Sequence, residues 1–239
     1  MGLFGKRAER PGGSPGPRSA GAGAALVPLL FGDLPLDQWP GPGTPAQGAP
    51  WDSFIAARAE LAAGHRDEAI ELWLHIAART DIEARHVLQA WTFLRQAGIA
   101  PDAEDAKDVL GIVVSVPVQH GHDVLAAYRD CSVRYINFSG AAVVVDEAAP
   151  AVGAAGRELL EQGRILVSRI GPWTEPQLPP LAQGDARLMV LTPSGPHFGQ
   201  GPFSALGSDP MARPVLDAAF KLLNAVLSVA GKTPPTESK

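Results

Sequence analysis

The order of two hydrophobic periods constrains the fold of this chain most: helical periodicity comes first, and strand-like segments follow. Between residues 51 and 100, apolar residues recur at helical spacing in three successive segments. From Asp108 the pattern changes to short runs rich in valine, isoleucine and leucine, separated by turn residues. Helices that precede strands in this way are typical of an α+β fold.

The first half of the chain is predicted to form three amphipathic helices. The first is expected to end near Gly64 and the third near Gly98. The third is also expected to open with the capping box Thr80-x-x-Glu83. The predicted apolar stripes are Trp51, Phe54, Ile55 and Leu61 in the first helix, Ala69, Leu72, Trp73, Ile76 and Ala77 in the second, and Ala84, Val87, Leu88, Trp91 and Leu94 in the third.

One segment in this region, ARAELAAGHRDEAIELWLHIA, resembles a tetratricopeptide-type helical hairpin. No second copy of the unit is present, and such repeats need about three neighbours to bury their faces. We therefore expect a helical layer that packs on the rest of the protein. A peptide-binding surface is the alternative that the resemblance implies.

The second half is predicted to contain six strands and two helices. The first four strand segments are joined by connections too short for crossovers, so neighbouring strands are expected to be antiparallel. One helix is expected at 152–162, and another from Pro210 to Ala230 with Asp209 as its N-cap. The strand segments are VLGIVVSVPV (109–118), VLAAYRD (124–130), SVRYINF (132–138), AAVVVDE (141–147), ILVSRI (165–170) and RLMVLT (187–192).

The predicted fold is therefore α+β: an N-terminal layer of three helices followed by a mainly antiparallel sheet of about six strands, in the order β-β-β-β-α-β-β-α. This order resembles the type III secretion chaperone-like fold and, less closely, profilin-like modules. The resemblance covers residues 108 to 230 and concerns topology alone. It implies a client-binding protein as one alternative function.

The composition along the chain predicts how it is divided. The two ends are rich in Gly, Pro, Ser and charged residues and have too few bulky apolar side chains to offset the entropy of ordering. The predicted divisions are a disordered tail at 1–24, a Pro/Gly-rich extended segment at 25–50, a helical region at 51–100, a sheet domain at 108–231 and a disordered tail at 232–239.

Charge and cysteine content narrow the class of protein. The formal net charge of −5 argues against nucleic acid and anionic membranes as partners, because both reward clusters of Lys and Arg. A single cysteine, Cys131, excludes an intramolecular disulfide framework and is consistent with a reducing compartment or with a secreted chain that does not rely on disulfides. No apolar run is long enough to span a bilayer. These features predict a cytoplasmic protein of bacterial type, judged from its Ala/Gly/Pro/Arg-rich style.

The segment 193–208, PSGPHFGQGPFSALGS, is expected to be a long loop that contributes the functional site. Its glycines match neither G-x-x-x-x-G-K-[ST] nor G-x-G-x-x-G, so no cofactor is predicted. Alternating strand directions would bring this loop to the same end of the sheet as two other turns. The residues expected there are His120, His122, Ser139, Ser194 and His197, whereas the loop from Gly171 to Asp185, with Trp173, is expected at the opposite end with Cys131.

Several chemistries remain open for these side chains. The favoured hypothesis is a non-enzymatic protein that binds another protein or a small ligand, with homo-oligomers possible. One rival is a metal- or His-dependent hydrolase built on His120, His122 and His197. A nucleophile formed by Ser194 with His197 is a further option, although no G-x-S-x-G elbow surrounds the serine. The expected ligand- or partner-binding residues are Ser194, His197, Gln200, Ser139 and Arg134; for Arg134, the alternative is a cross-strand ion pair.

Overall fold

The computed structural model describes residues 22–146, 149–175 and 177–231. The predicted tails at 1–24 and 232–239 lie outside the described residues, apart from the backbone of residues 22–24. The α-helices and strands are α1 Trp51–Ala63, α2 Arg66–Ala77, α3 Ala84–Gln96, β1 Gly111–Val118, β2 Gly121–Tyr128, β3 Val133–Ile136, β4 Ala142–Val145, α4 Pro150–Val167, β5 Asp185–Thr192, β6 Gly195–Pro202, α5 Phe203–Leu206 and α6 Ala212–Ala230. Three 3-10 helices cover Ala22–Leu30, Leu36–Gln38 and Asp105–Lys107.

A six-stranded antiparallel sheet forms the middle of three layers. Its strand order is β4-β3-β2-β1-β5-β6. Helices α1 to α3 share an apolar cluster with one face of the sheet, and α4 and α6 share a second cluster with the other face. The predicted α+β class and the order of elements are confirmed.

The central strand β1 shows why its sequence is almost continuously apolar. Val113 belongs to the cluster beneath α1 to α3, and its neighbours Ile112 and Val114 belong to the cluster beneath α4 and α6. Successive side chains on a strand point to opposite faces, so a strand covered on both sides needs apolar residues at every position. All three are almost fully buried.

One predicted strand and one predicted loop are wrong. The segment ILVSRI is not a strand, because α4 continues through Val167 and buries Leu166 and Val167 on the same side as Leu159 and Leu160. The sixth strand is instead β6, which lies inside the segment predicted to be a loop. Its glycines and prolines carry no alternating apolar pattern, and its strand form is imposed by pairing with β5 over eight residue pairs.

Because ILVSRI is not a strand, residues 187–192 run in the direction opposite to the one predicted. We call the end of the sheet where β1 begins the lower end, and the end where β1 finishes the upper end. Because β5 is antiparallel to β1, it runs downward, and Thr192 lies near Gly111. The turn between β5 and β6 is therefore at the lower end, opposite to the predicted position.

The start of α3 differs from the predicted capping box. Neither Thr80 nor Glu83 caps the helix through its side chain. Instead, Ala84 N donates a hydrogen bond of 2.6 Å to Oδ2 of Asp130, which lies in the turn between β2 and β3. A carboxylate from the sheet thus takes the role of the N-cap residue and ties the helical layer to the lower end.

The final helix begins close to its predicted position. Asp209 Oδ1 accepts hydrogen bonds of 2.8 Å from the backbone N of Met211 and of Ala212. The expected cap by Asp209 is therefore present.

Among the described residues, no helix combines the length and the apolar character that crossing a bilayer requires.

Candidate functional site

The residues predicted to share one site are divided between the two ends of the sheet. His122 pairs with Pro117 at the upper end, and Ser139 lies in the nearby turn between β3 and β4. His197 pairs with Val190, which pairs with Ile112 near the lower end. Ile112 pairs in turn with Ala127, which follows His122 by five residues along β2, a separation of about 17 Å along the strand. The predicted convergence is wrong because 187–192 runs downward.

This separation also removes the geometry that the rival hypothesis, a metal-dependent hydrolase built on His120, His122 and His197, requires. His122 Nε2 lies 3.1 Å from the carbonyl oxygen of Asp185, and the ring of His120 lies beside that of Phe138. His197 is on the far end of the sheet, so it cannot join them at one ion. In the part of the chain that the structure describes, no group of three or more His, Cys, Asp or Glu side chains is arranged to hold a metal.

Arg134 and Gln200 form ion pairs and hydrogen bonds with other residues of the fold. The Arg134 guanidinium lies 2.6 Å from Oδ1 of Asp146, next to the neighbouring strand β4, which is the expected cross-strand ion pair. It also lies 3.6 Å from Oε2 of Glu83 at the start of α3. Gln200 Oε1 accepts two hydrogen bonds from Arg187, and its Nε2 donates to the carbonyl of Pro180. Gln200 therefore fastens the connection before β5 against β6.

That connection, Gly171–Asp185, runs along β6 from one end of the sheet to the other. Trp173 N donates a 2.7 Å hydrogen bond to the carbonyl of Pro196, near the lower end. Gln183 Nε2 donates to the carbonyl of Gln119, at the upper end. The predicted placement at the lower end holds for Trp173 but not for the whole segment.

Two predicted residues do meet, at the lower end. Ser194 lies in the turn between β5 and β6, and His197 lies on β6. The hydroxyl of Ser194 is 3.4 Å from Nε2 of His197. His197 is 1% exposed, and its Nδ1 lies 3.0 Å from the carbonyl oxygen of Ile170. Burial is the main cause that lowers the pKa of His197 below its ordinary value.

A separate cavity lies between the N-terminal segment and the helical layer. Its volume is about 240 Å³. We call it the aromatic cavity, and it is lined by Leu29, Gly32, Leu34, Trp39, Trp51, Glu83, Arg85, His86 and Gln89. The rings of Trp39 and Trp51 stack with centroids 5.2 Å apart, and the ring of His86 meets that of Trp51 edge-on at 5.0 Å.

Polar side chains on α3 hold the wall of this cavity in place. Gln89 receives a hydrogen bond from Leu34 N and donates one to Leu34 O, at 3.0 and 2.9 Å. Thr92 Oγ1 donates a 2.8 Å hydrogen bond to the carbonyl of Gly32. Tyr128, on the sheet, donates a 2.6 Å hydrogen bond to the carbonyl of Leu30. These bonds replace the regular pairing that residues 30–34 lack and fix the segment as a wall.

Gly32 allows this wall to approach α3 closely. Its φ is +61°, a conformation that favours glycine. A Cβ atom at this position would lie 2.6 Å from Cβ of Leu88 and 2.8 Å from the carbonyl oxygen of Arg85. The chain therefore passes over the helix at a distance that no larger residue permits.

Two buried nitrogen atoms of the cavity residues have no hydrogen-bond partner among the described residues. They are Nε1 of Trp39 and Nδ1 of His86. Trp39 is 9% exposed and His86 is 8% exposed. An unpaired buried donor costs about 1–3 kcal/mol, so such groups normally have a partner or an ordered water. Burial also lowers the pKa of His86, which keeps its imidazole neutral at pH 7.

The charged groups at the rim balance each other. Glu83 Oε2 accepts hydrogen bonds from Arg85, with Nε at 3.0 Å. The same oxygen is also within 3.6 Å of the Arg134 guanidinium. The cavity thus presents one carboxylate already engaged by two guanidinium groups rather than a field of one sign.

Sequence reasoning missed this cavity, although α3 carried a signal for it. His86, Gln89 and Thr92 recur every three residues on α3, and all three are buried. A buried polar stripe indicates that something polar lies against that face of the helix. Trp39 gave no signal of its own, because it stands alone in a Pro/Gly-rich segment.

Comparison with known proteins leaves the site to be judged on its geometry, since a scan against protein-family models gives no match and a search of curated proteins gives none either.

Proposed function

We propose that this protein binds a small, flat, uncharged aromatic molecule that carries a hydrogen-bond acceptor, and that the aromatic cavity is its site. The observation that carries the proposal is the presence of two buried, unpaired nitrogens, Trp39 Nε1 and His86 Nδ1, in residues that line a cavity of about 240 Å³. The binding class expected from the sequence is retained, but its location moves from 193–208 to this cavity.

The shape of the ligand follows from the walls. Trp39, Trp51 and His86 present aromatic faces and edges, which favour stacked or edge-on contact with another ring. The volume is just below the range of about 300–1,000 Å³ that is usual for small-molecule sites. A ligand of one or two fused rings suits these dimensions.

The polarity of the ligand follows from the unpaired groups. The indole N–H of Trp39 can only donate, so its partner must be an acceptor. The neutral imidazole of His86 donates or accepts at Nδ1, depending on its tautomer. A carbonyl or ring oxygen on the ligand would satisfy one or both. The balanced Glu83–Arg85 pair gives no preference for a charged ligand.

Binding of coumarin, a flat bicyclic molecule with a carbonyl acceptor, tests this proposal. We expect coumarin to bind the full chain and quench its tryptophan fluorescence, and naphthalene, which has the same ring size but no acceptor, to bind about tenfold more weakly. Trp51→Ala should weaken coumarin binding by about tenfold or more, because a stacking wall is lost.

Trp173→Ala is the matched control, since Trp173 contacts Phe198 beside β6 and does not line the cavity. Its affinity for coumarin should equal that of the unaltered chain. Thermal melting of each variant establishes that it remains folded. Equal loss in both variants, or no binding of either compound by the folded chain, would overturn the proposal.

A further inference from the structure

The turn between β5 and β6 places a serine hydroxyl against a buried histidine. Pro193 and Ser194 form a two-residue connection between Thr192 and Gly195, which pair with each other. His197 follows three residues after the serine, and its Nε2 lies 3.4 Å from Ser194 Oγ. Engaged nucleophile–base pairs lie at about 2.6–3.2 Å and are commonly looser without substrate.

The histidine is held with its basic nitrogen toward the serine. Nδ1 of His197 donates its hydrogen to the carbonyl of Ile170, 3.0 Å away, because a carbonyl can only accept. The neutral ring then carries its lone pair on Nε2, the atom nearest Ser194. Ile170 thus supplies the orienting group that a carboxylate supplies in other serine–histidine sites.

Ser194 opens onto a cleft of about 320 Å³. Its other walls come from Arg95 and from the loop that follows α3, residues 98–101, together with Ala106. Arg95 uses Nη1 to donate a 2.6 Å hydrogen bond to the carbonyl of Pro193 and Nη2 to donate one to Thr92. A guanidinium has five N–H donors, so others remain for an anion that forms in the cleft.

Thr192 sets the resting position of the serine proton. Its hydroxyl donates to the carbonyl of Gly195 at 2.9 Å and lies 2.8 Å from Ser194 Oγ, which makes it an acceptor for Ser194. The serine hydroxyl therefore has two acceptors, Thr192 Oγ1 and His197 Nε2. Rotation toward His197 is the step that activates it.

We propose that Ser194 is a nucleophile that takes an acyl group from a small carboxylic ester, with His197 as its base and Arg95 as the group that stabilises the oxyanion. In the first step Ser194 Oγ bonds to the ester carbonyl carbon, and its proton passes to His197 Nε2. The ester C–O bond then breaks, and the leaving alcohol takes the proton from His197. Water, deprotonated by His197, then bonds to the acyl carbon of the acyl-serine. The bond from that carbon to Ser194 Oγ breaks, the carboxylic acid is released, and His197 returns the proton to Ser194 Oγ.

A fluorophosphonate probe tests this site directly. Ser194 Oγ bonds to phosphorus, fluoride leaves, and the serine proton passes through His197 to solvent. We expect one adduct per full-length chain by intact mass spectrometry, located on Ser194 by peptide mapping. Ser194→Ala should abolish it, and His197→Asn should slow labelling about 100-fold, the usual contribution of a positioned base.

Two further measurements separate catalysis from folding. The labelling rate of the unaltered chain should rise with pH through the lowered pKa of His197 and then level off, a profile that a structural role would not produce. Ser139→Ala is the control, because Ser139 also lies in a turn between two strands but its hydroxyl donates a hydrogen bond to Asn137. Labelling that persists in folded Ser194→Ala, or that fails in the folded unaltered chain at every pH, would overturn the assignment.

Discussion

At the scale of single residues, His86 and His197 make the free energy of unfolding depend on pH. Both are buried, and burial is the first cause that lowers the pKa of each below the ordinary value of 6.5. The unfolded chain therefore binds protons at these positions more readily than the folded chain. His65 shifts in the opposite direction through its hydrogen bond to Glu60, but it is fully exposed and its contribution is screened.

We predict that the free energy of unfolding decreases as the pH falls from 7.5 to 5. The stabilisation from a lowered histidine pKa is complete above the unfolded value and is lost as the pH falls toward the folded value. Urea unfolding at a series of pH values measures this slope. His86→Gln, which keeps a polar side chain that does not titrate, should make the slope shallower. A slope of the opposite sign would contradict the account.

Individual residues also show where prediction from sequence stops. His86, Gln89 and Thr92 lie within the third predicted helix, and the structure confirms a helix there. The helical pattern does not reveal that the Gln89 side chain hydrogen-bonds to both backbone groups of Leu34, which is 55 residues away. Such partners are set by tertiary contact rather than by local periodicity.

At the scale of elements, α3 and the β2–β3 turn depend on each other through Asp130. Its Oδ2 caps Ala84 N, and its Oδ1 accepts a 2.9 Å hydrogen bond from Ser132 N within its own turn. The predicted capping box at Thr80 and Glu83 had the right residue types at the right spacing. The structure uses a carboxylate from another element because the lower end of the sheet lies against the start of the helix.

We predict that Asp130→Ala lowers the free energy of unfolding by about 1–2 kcal/mol, the usual cost of losing an N-cap. Thr80→Ala, which removes the residue that the sequence favoured, should change it by less than about 0.5 kcal/mol. Denaturant unfolding of both variants provides the comparison. A larger loss of stability for Thr80→Ala than for Asp130→Ala would contradict the cap by Asp130 and favour the capping box at Thr80 and Glu83.

Elements with strong local patterns were predictable, and those formed by pairing were not. Helices α1 and α2 form where the apolar spacing predicts them, although α1 fully buries only Phe54 of its predicted stripe. Strand β6 has the sequence of a loop and becomes a strand because β5 offers it an edge. The segment ILVSRI has β-branched residues, but its apolar positions continue the buried stripe of α4. Short apolar runs do not distinguish the two states by themselves.

At the scale of the whole molecule, the N-terminal segment completes the helical layer. Leu30 and Trp39 belong to the same apolar cluster as α1 to α3 and the adjoining face of the sheet. The segment therefore contributes both to the core and to the wall of the aromatic cavity. At Gly32 the segment passes close to α3.

We predict that Gly32→Ala lowers both stability and coumarin affinity. An alanine at positive φ costs about 1 kcal/mol, and displacing the backbone of α3 or the segment costs about 1–3 kcal/mol more. Gly43→Ala is the matched control, since Gly43 also has positive φ, at +86°, but a Cβ there would meet nothing within 4 Å. Unfolding and coumarin titration of both variants isolate the contact with α3. Equal effects in the two variants would contradict its role in shaping the cavity.

The overall arrangement was only partly accessible from the sequence. Class and element order follow from periodicity, but the end of the sheet at which each turn lies depends on counting every strand correctly. Mistaking ILVSRI for a strand moved Ser194 and His197 to the wrong end while leaving the number of strands at six. The aromatic cavity lay beyond prediction because its walls come from segments joined by long-range contacts.

The indole N–H resonance of Trp39 offers the most direct test of the central claim, that the aromatic cavity binds an acceptor-bearing aromatic ligand. In a ¹⁵N-labelled full chain, the five tryptophans give separate indole signals that can be assigned by single substitutions. The account predicts that coumarin shifts the Trp39 signal downfield in proportion to site occupancy, while naphthalene does not and the Trp173 signal stays in place. A Trp39 signal that coumarin leaves unmoved at saturating concentration would contradict it.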